Sequence, residues 1–265
     1  MILPGLCSVT LRSHSPREIV ELARECGLSA IEWGGDIHVP HGETRQADEV
    51  RRMCAENGIL TPSYGSYCRL DPECPPSDFT AALESALHLG AKTIRVWAGR
   101  KPSAQMDDDY RARLVNESRR LAELAAGAGC EIGFEYHRHT ATDGNTEALA
   151  LVQAVDHPAA KIYWQPRELT STAQRLAGLR MILPKLCHVH VYHWVGDPTI
   201  RRPLSEGIPE WLDYLRLADS SDVQRCAYLE FVEDDSIENL RRDAASLLEC
   251  IRSTDQPPTE HFPIK

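Results

Sequence analysis

No stretch of the 265 residues approaches the roughly 18 apolar positions needed to span a membrane. The opening Met1-Ile2-Leu3-Pro4-Gly5-Leu6 has neither the basic segment nor the long apolar core of a secretory leader. No C-x-x-C pair occurs; the nine cysteines (7, 26, 54, 68, 74, 130, 187, 226 and 250) are odd in number and scattered. That pattern argues against a disulfide framework and for a reduced compartment, with each thiol read as a small buried hydrophobe. A cytoplasmic protein with no membrane partner is the expectation. Basic charge is short as well: 29 Lys and Arg against 39 Asp and Glu leave a net −10. This is the wrong sign for a protein that binds by neutralising nucleic-acid phosphates. Glycine is missing where an open dinucleotide-binding sheet needs it, since Leu11-Arg12-Ser13-His14-Ser15 follows the first apolar run.

What is present is alternation. Short β-rich runs recur at 6–11, 30–33, 60–64, 93–98, 131–135, 161–164, 186–191 and 226–231, each followed by a segment with helical spacing. Ser15-Pro16-Arg17-Glu18 reads as an N-cap with proline at the first helical position and a capping-box glutamate. Further helices are expected from Thr44 to Asn57-Gly58, from Ser77 to Gly90, from about Asp107 to Gly127, and from Ser236 to about Arg252. Eight β-then-α units in this length are the arithmetic of a single α/β (β/α)8 TIM barrel. With no composition shift to mark a boundary, the barrel is assigned to residues 1–254 and an irregular tail to 255–265.

A barrel of this kind carries its chemistry at the C-terminal ends of its strands. Those ends are rich in polar residues here: Glu32 and His38 after the second run, Glu135, His137 and His139 at the fifth, Gln165 and Glu168 at the sixth, His188 and His190 in the seventh, and Glu230 in the eighth. Period-two parity turns Val189 and Val191 toward the helices and His188, His190 and Tyr192 into the lumen. By the same rule Leu229 and Phe231 face the helices and Glu230 points inward, while Glu135 shares a face with Gly133 and His137. Two carboxylates and an imidazole joined by an amide or a further carboxylate make an oxygen-rich site for a divalent ion of the Mn, Mg, Co or Zn kind. Such an ion polarises a carbonyl and acidifies the neighbouring C–H, and paired glutamates then move the proton.

Glu135-Tyr136-His137 followed by Thr140-Ala141-Thr142-Asp143, then Tyr163-Trp164-Gln165-Pro166, His188-Val189-His190 and Leu229-Glu230-Phe231-Val232, occur in fixed order along the chain. In these motifs the chain resembles the sugar phosphate isomerase/epimerase family, the xylose isomerase-like TIM barrels. The resemblance implies a metal held by Glu135, Gln165, His190 and Glu230, with Gln165 standing where the family has an aspartate. It implies catalysis by Glu135 and Glu230 as the acid/base pair. Glu32, His38, Trp97, His137, Glu168 and His188 are the implied substrate-binding residues. The missing carboxylate at Gln165 removes one negative charge and is expected to weaken metal binding.

The function expected is a sugar or sugar phosphate isomerase or epimerase acting on a small carbohydrate, as a possible homo-oligomer. Two alternatives stand beside it: a carbohydrate-binding barrel without turnover, and a lyase or dehydratase that begins with the same proton abstraction. The DNA-repair endonuclease branch needs more His and Asp ligands and a basic face, which the −10 charge opposes. Around the fourth run, Arg95, Trp97 and Arg100 offer a stacking wall and a charged anchor. Arg201-Arg202 reads as a solvated loop pair.

Overall fold

The computed structural model describes residues 1–73, 78–167, 170–197, 199–219 and 223–254. Cys74, Glu168 and the 255–265 tail lie outside the described residues. Eight parallel strands close into a barrel: β1 (Ile2–Cys7), β2 (Ala30–Gly34), β3 (Leu60–Arg69), β4 (Thr93–Trp97), β5 (Glu131–Glu135), β6 (Ala160–Trp164), β7 (Leu186–Val191) and β10 (Arg225–Leu229), with β10 pairing between β7 and β1. A short antiparallel hairpin, β8 (His193–Val195) and β9 (Ile200–Arg202), rises from the loop after β7. Around the barrel run α1 (Pro16–Glu25), α2 (Thr44–Glu56), α3 (Phe79–Leu89), α4 (Asp108–Gly127), α5 (Asn145–Val155), α6 (Thr172–Ile182), α7 (Ile208–Asp219) and α8 (Ile237–Thr254).

Local chemistry sets the helix ends. The Ser15 hydroxyl accepts from Glu18 N–H and the Glu18 carboxylate accepts from Ser15 N–H, closing the expected capping box. Gly90 ends α3 with a left-handed φ of 84° that favours glycine.

Two differences from the strand reading matter. β1 begins at Ile2, and 8–11 form a turn of 3-10 helix rather than strand. Gly5 lies within β1 where a Cβ would meet the Tyr228 ring at 2.5 Å, so the close approach of that ring requires glycine. Strand β10 stops at Leu229, so the parity rule no longer applies at Phe231.

Apolar side chains divide into two cores. A large one between strands and helices includes Trp33, Trp164, Val189, Val191 and Leu229. A smaller one fills the lumen with Cys7, Val9, Ala30, Tyr163, Cys187, Cys226 and Tyr228. The eight described cysteines are free thiols, seven of them buried. No described helix is long and apolar enough to cross a membrane.

Candidate active site

Above the lumen core a cavity of about 660 Å³ opens at the C-terminal ends of the strands. Its wall includes Trp97, Glu135, His137, Gln165 and Glu230. His190 is fully buried beside it, and its Nδ1 is where the donors gather: Gln165 Oε1 at 3.0 Å, Glu230 Oε2 at 3.4 Å and Glu135 Oε1 at 3.8 Å. Gln165 is aimed by its amide, because Nε2 donates to the Tyr136 carbonyl and leaves Oε1 turned toward the imidazole. On the far side of the ring, Nε2 stands 3.5 Å from Glu32 Oε1 and has no hydrogen-bond partner among the described residues.

Glu32 sits beneath this group rather than in the cavity wall. It accepts from Tyr163 Oη at 2.5 Å, Ser63 Oγ at 3.0 Å and Arg95 Nε at 2.9 Å. Arg95, itself buried, also pairs with Glu135, whose Oε2 accepts from Trp97 Nε1 at 2.5 Å. Burial by itself raises a carboxyl pKa, but at Glu32 the neighbouring Arg95, His190 and Tyr163 outweigh it and hold the group well below the ordinary range. Glu230 has no such clamp, and burial pushes its carboxyl up to about 7, with Glu135 and Glu32 acting in the same direction against His190 and Arg95. Although burial opposes it, Glu230, Glu32 and Glu135 raise the His190 pKa, so the pocket favours positive charge at this point.

These residues fit a divalent cation. Around an ion with bonds of about 2.1 Å, adjacent donors stand about 3 Å apart, the order of the spacings around His190 Nδ1. When Glu32, Glu135 and Glu230 are all ionised, these three buried carboxylates outnumber the one buried guanidinium by two, a charge that such an ion balances. Glu32 then takes the place of the carboxylate that orients a ligand imidazole from behind. Cys7 Sγ is close to the donors of His190 and Glu230, but burial, Glu32 and Glu230 push its thiol pKa up, which disfavours a nucleophile.

The structure therefore brings Glu135, Gln165, His190 and Glu230 together, with Trp97 and His137 in the wall above them. The rings of these last two lie 4.6 Å apart, and His137 Nδ1 donates to the Arg138 carbonyl, leaving Nε2 for a ligand. Three residues depart from the substrate-binding expectation. Glu32 is an anchor under the floor. His38 is 3% exposed and bonded through Nδ1 to Ser8 Oγ, so it braces the β2 end outside the cavity. His188 lies one layer deeper, where Nδ1 accepts from Cys226 N–H and Nε2 faces Thr93 Oγ1.

Other expectations shift in the same way. Phe231 lines the cavity instead of facing the helices because its backbone turns to φ 50°. Tyr67 and His139, also at positive φ, line the same cavity. Non-glycine residues in that region carry strain, and such strain gathers at functional sites. Trp164 packs against Trp211 and Tyr214 in the outer core, whereas Trp194 lines the cavity and stays near Phe231. Arg201 pairs with Asp235 and Arg202 with Glu206. Tyr163 and Ser63, the partners of Glu32, were not singled out as site residues. Their signal was inward parity with a hydroxyl pointing at a buried carboxylate, which needs the strand register to read.

Residues 20–254 match the family described as Xylose isomerase-like TIM barrel, and the chain belongs to that family. Over 261 residues the chain is 26% identical to a 3-dehydroshikimate dehydratase of Bacillus anthracis, covering 86% of this chain and 90% of that protein. The crystal structure of the probable 3-DHS dehydratase AsbF from the same organism superposes with a TM-score of 0.76 at 22% identity, covering 94% of this chain and 99% of that one. D-psicose 3-epimerase from Clostridium cellulolyticum H10 superposes with a TM-score of 0.67 at 15% identity, covering 97% and 100%. At these identities the two structural likenesses bear on the fold.

Proposed function

We propose that the chain is a metal-dependent lyase that removes water from a small carboxylate-bearing hydroxy-ketone, with 3-dehydroshikimate the first substrate to test. The observation that carries the reading is the convergence of Glu135, Gln165, His190 and Glu230 under an open cavity. The choice of dehydration over isomerisation draws on the 26% identical dehydratase. Arg138 and Arg167 on the cavity wall offer guanidinium donors to a substrate carboxylate.

Glu135, Gln165, His190 and Glu230 would hold the divalent ion. When bound, the ion supplies Lewis acidity toward the substrate carbonyl. Arg95 and Trp97 fix Glu135, leaving Glu230 as the carboxylate free to take the proton from the carbon next to the carbonyl. The C–H bond breaks with its proton on Glu230 and a C=C bond forms as the β C–O bond breaks. Return of that proton to the departing hydroxyl oxygen releases water. Trp97 and His137 Nε2 offer a stacking face and an acceptor for the remaining ring and hydroxyls.

The test is incubation of the metal-loaded protein with 3-dehydroshikimate. Loss of water followed by enolisation makes that ring aromatic, which ultraviolet absorbance follows directly; chelator should abolish the signal. No aromatic product above the protein-free rate rejects the lyase reading.

The sugar isomerase or epimerase reading keeps one observation in its favour, since Glu135 and Glu230 both reach His190 Nδ1. It requires exchange of a ketose α-proton with D₂O without loss of water. Ligand binding with neither reaction marks a carbohydrate-binding barrel without turnover.

A further inference from the structure

A second cluster lies outside this cavity, where the β2–α2 loop meets the end of β3 and the start of α3. His41, Cys68 and Asp78 each present a ligand atom, all within 4.8 Å of one another. His41 Nε2 is 2.8 Å from the Ser66 carbonyl oxygen, which only accepts, so Nε2 carries the proton. Its other nitrogen, Nδ1, lies 2.7 Å from Asp78 Oδ2, which also only accepts. In a neutral imidazole that contact sets lone pair against lone pair; either a second ring proton, which makes an ion pair with Asp78, or a metal ion drawn to both groups resolves it.

Asp78 supports the same conclusion from the backbone. It is the N-cap residue of α3, yet its side chain accepts none of the helix N–H groups. Its carboxylate is turned instead toward His41 and toward Cys68 Sγ, 3.8 Å from Oδ1.

We propose that His41 Nδ1, Cys68 Sγ and an Asp78 carboxylate oxygen form a zinc site that ties the β2–α2 loop to β3 and α3, with a fourth position open to solvent. Mixed nitrogen, sulfur and oxygen donors select zinc over magnesium or calcium. Tetrahedral zinc with bonds of about 2.0 to 2.3 Å sets its donors about 3.3 to 3.8 Å apart. Sulfur stands 3.8 Å from Asp78 Oδ1 whereas His41 Nδ1 meets Oδ2, so the carboxylate turns to bring one oxygen to the ion. The shorter nitrogen-to-oxygen contact opens by about half an ångström as Asp78, 52% exposed, turns outward. The Nε2–H bond to Ser66 is the outer-shell contact that fixes a ligand histidine's tautomer.

The experiment uses the full chain, stripped with chelator and titrated with cobalt, a zinc surrogate whose thiolate complexes show a charge-transfer band. Cys7→Ser is the background, because Cys7 is the other thiol beside a candidate cation position. One cobalt equivalent should show the thiolate band and yield to zinc. Asp78→Asn, a change at an exposed helix start, should weaken that equivalent about 100-fold, and Cys68→Ser should remove the band. Cobalt uptake in the Cys7→Ser protein with no thiolate band overturns the site, as does a band that survives Cys68→Ser. The barrel mouth contributes no sulfur in this background, so the outcome there neither supports nor removes this one.

Discussion

Glu32 and Glu230 both point into the barrel lumen, and both are buried at 2% and 6% exposure, yet they are held in opposite ways. Glu32 accepts from an arginine, a tyrosine and a serine, and its charge is fixed. Glu230 has one ion-pair partner among the described residues, the His190 imidazole at 3.4 Å, and burial moves its pKa toward neutrality. Burial alone thus says little about what a carboxylate does. The number of donors committed to it separates a structural anion from one that can take up and release a proton.

The largest effect that follows is on turnover. Glu230→Gln should leave the melting temperature close to that of the parent while cutting the rate of water loss by about 10²- to 10⁴-fold, the range general acid–base groups supply. A variant that turns over normally would take Glu230 out of the proposed chemistry and erase the contrast. Glu32→Gln is the mirror experiment. It places an amide N–H among donors and strips a buried guanidinium of one of its two carboxylates. Breaking a buried pair costs about 3 to 5 kcal/mol, and the lower end is expected because Arg95 keeps Glu135. For a chain of this size that is a fall in melting temperature of about 6 to 12 °C. An unchanged melting temperature would show that Glu32 is not the anchor of the floor.

Two histidines on β7 repeat the comparison one layer apart. His190 is surrounded by carboxylates, whereas His188 is bracketed by Thr93 and the Cys226 N–H among the rings of Tyr163 and Tyr228. Burial lowers the His188 pKa to about 4, against an ordinary value of 6.5. Below pH 6.5 the unfolded chain takes up a proton there that the folded chain refuses until about pH 4. This contribution to stability is therefore complete above the ordinary value and is lost as the pH falls through that window, by up to about 3 kcal/mol. Glu230, with its raised pKa, works in the opposite sense over part of the same range. The difference between parent and His188→Gln is therefore the readout, in chelated protein by urea unfolding at several pH values. The variant should lose less stability than the parent between pH 6.5 and 4.5, and parallel curves would mean that His188 is protonated in the fold.

Much of this was readable from residue order, because the signals were local. The Ser15-to-Glu18 capping box, the βα alternation and the inward parity of His188, His190 and Glu230 depend on neighbours a few positions apart. Parity gives the face of the barrel but not the depth within it, so it does not show that His188 lies a layer below His190, too deep to meet a substrate. Arg95 shares β4 with Trp97, and only closure of the barrel shows it reaching Glu32 on β2 and Glu135 on β5. Phe231 was misplaced because a left-handed residue after β10 ends the alternation, and nothing in an aromatic side chain announces a positive φ. The β8–β9 hairpin was hidden in a loop whose strands are three residues each, too short for a period-two pattern.

The smallest expected effect concerns the one neutral oxygen donor in the set. Gln165→Asp restores a negative charge beside His190 but gives up the amide bond to the Tyr136 carbonyl. Because affinity for hard cations rises with the number of charged ligands, divalent binding should tighten by about tenfold, or about 1.4 kcal/mol. Gln165→Glu keeps the length and adds the same charge, yet it sets a carboxylate oxygen against the Tyr136 carbonyl where an N–H now donates, so it should gain less than Asp. Isothermal titration with manganese ranks the three. If Asp binds no better than Gln, orientation by Tyr136 outweighs charge at this position, and the amide serves the loop after β5 rather than the ion.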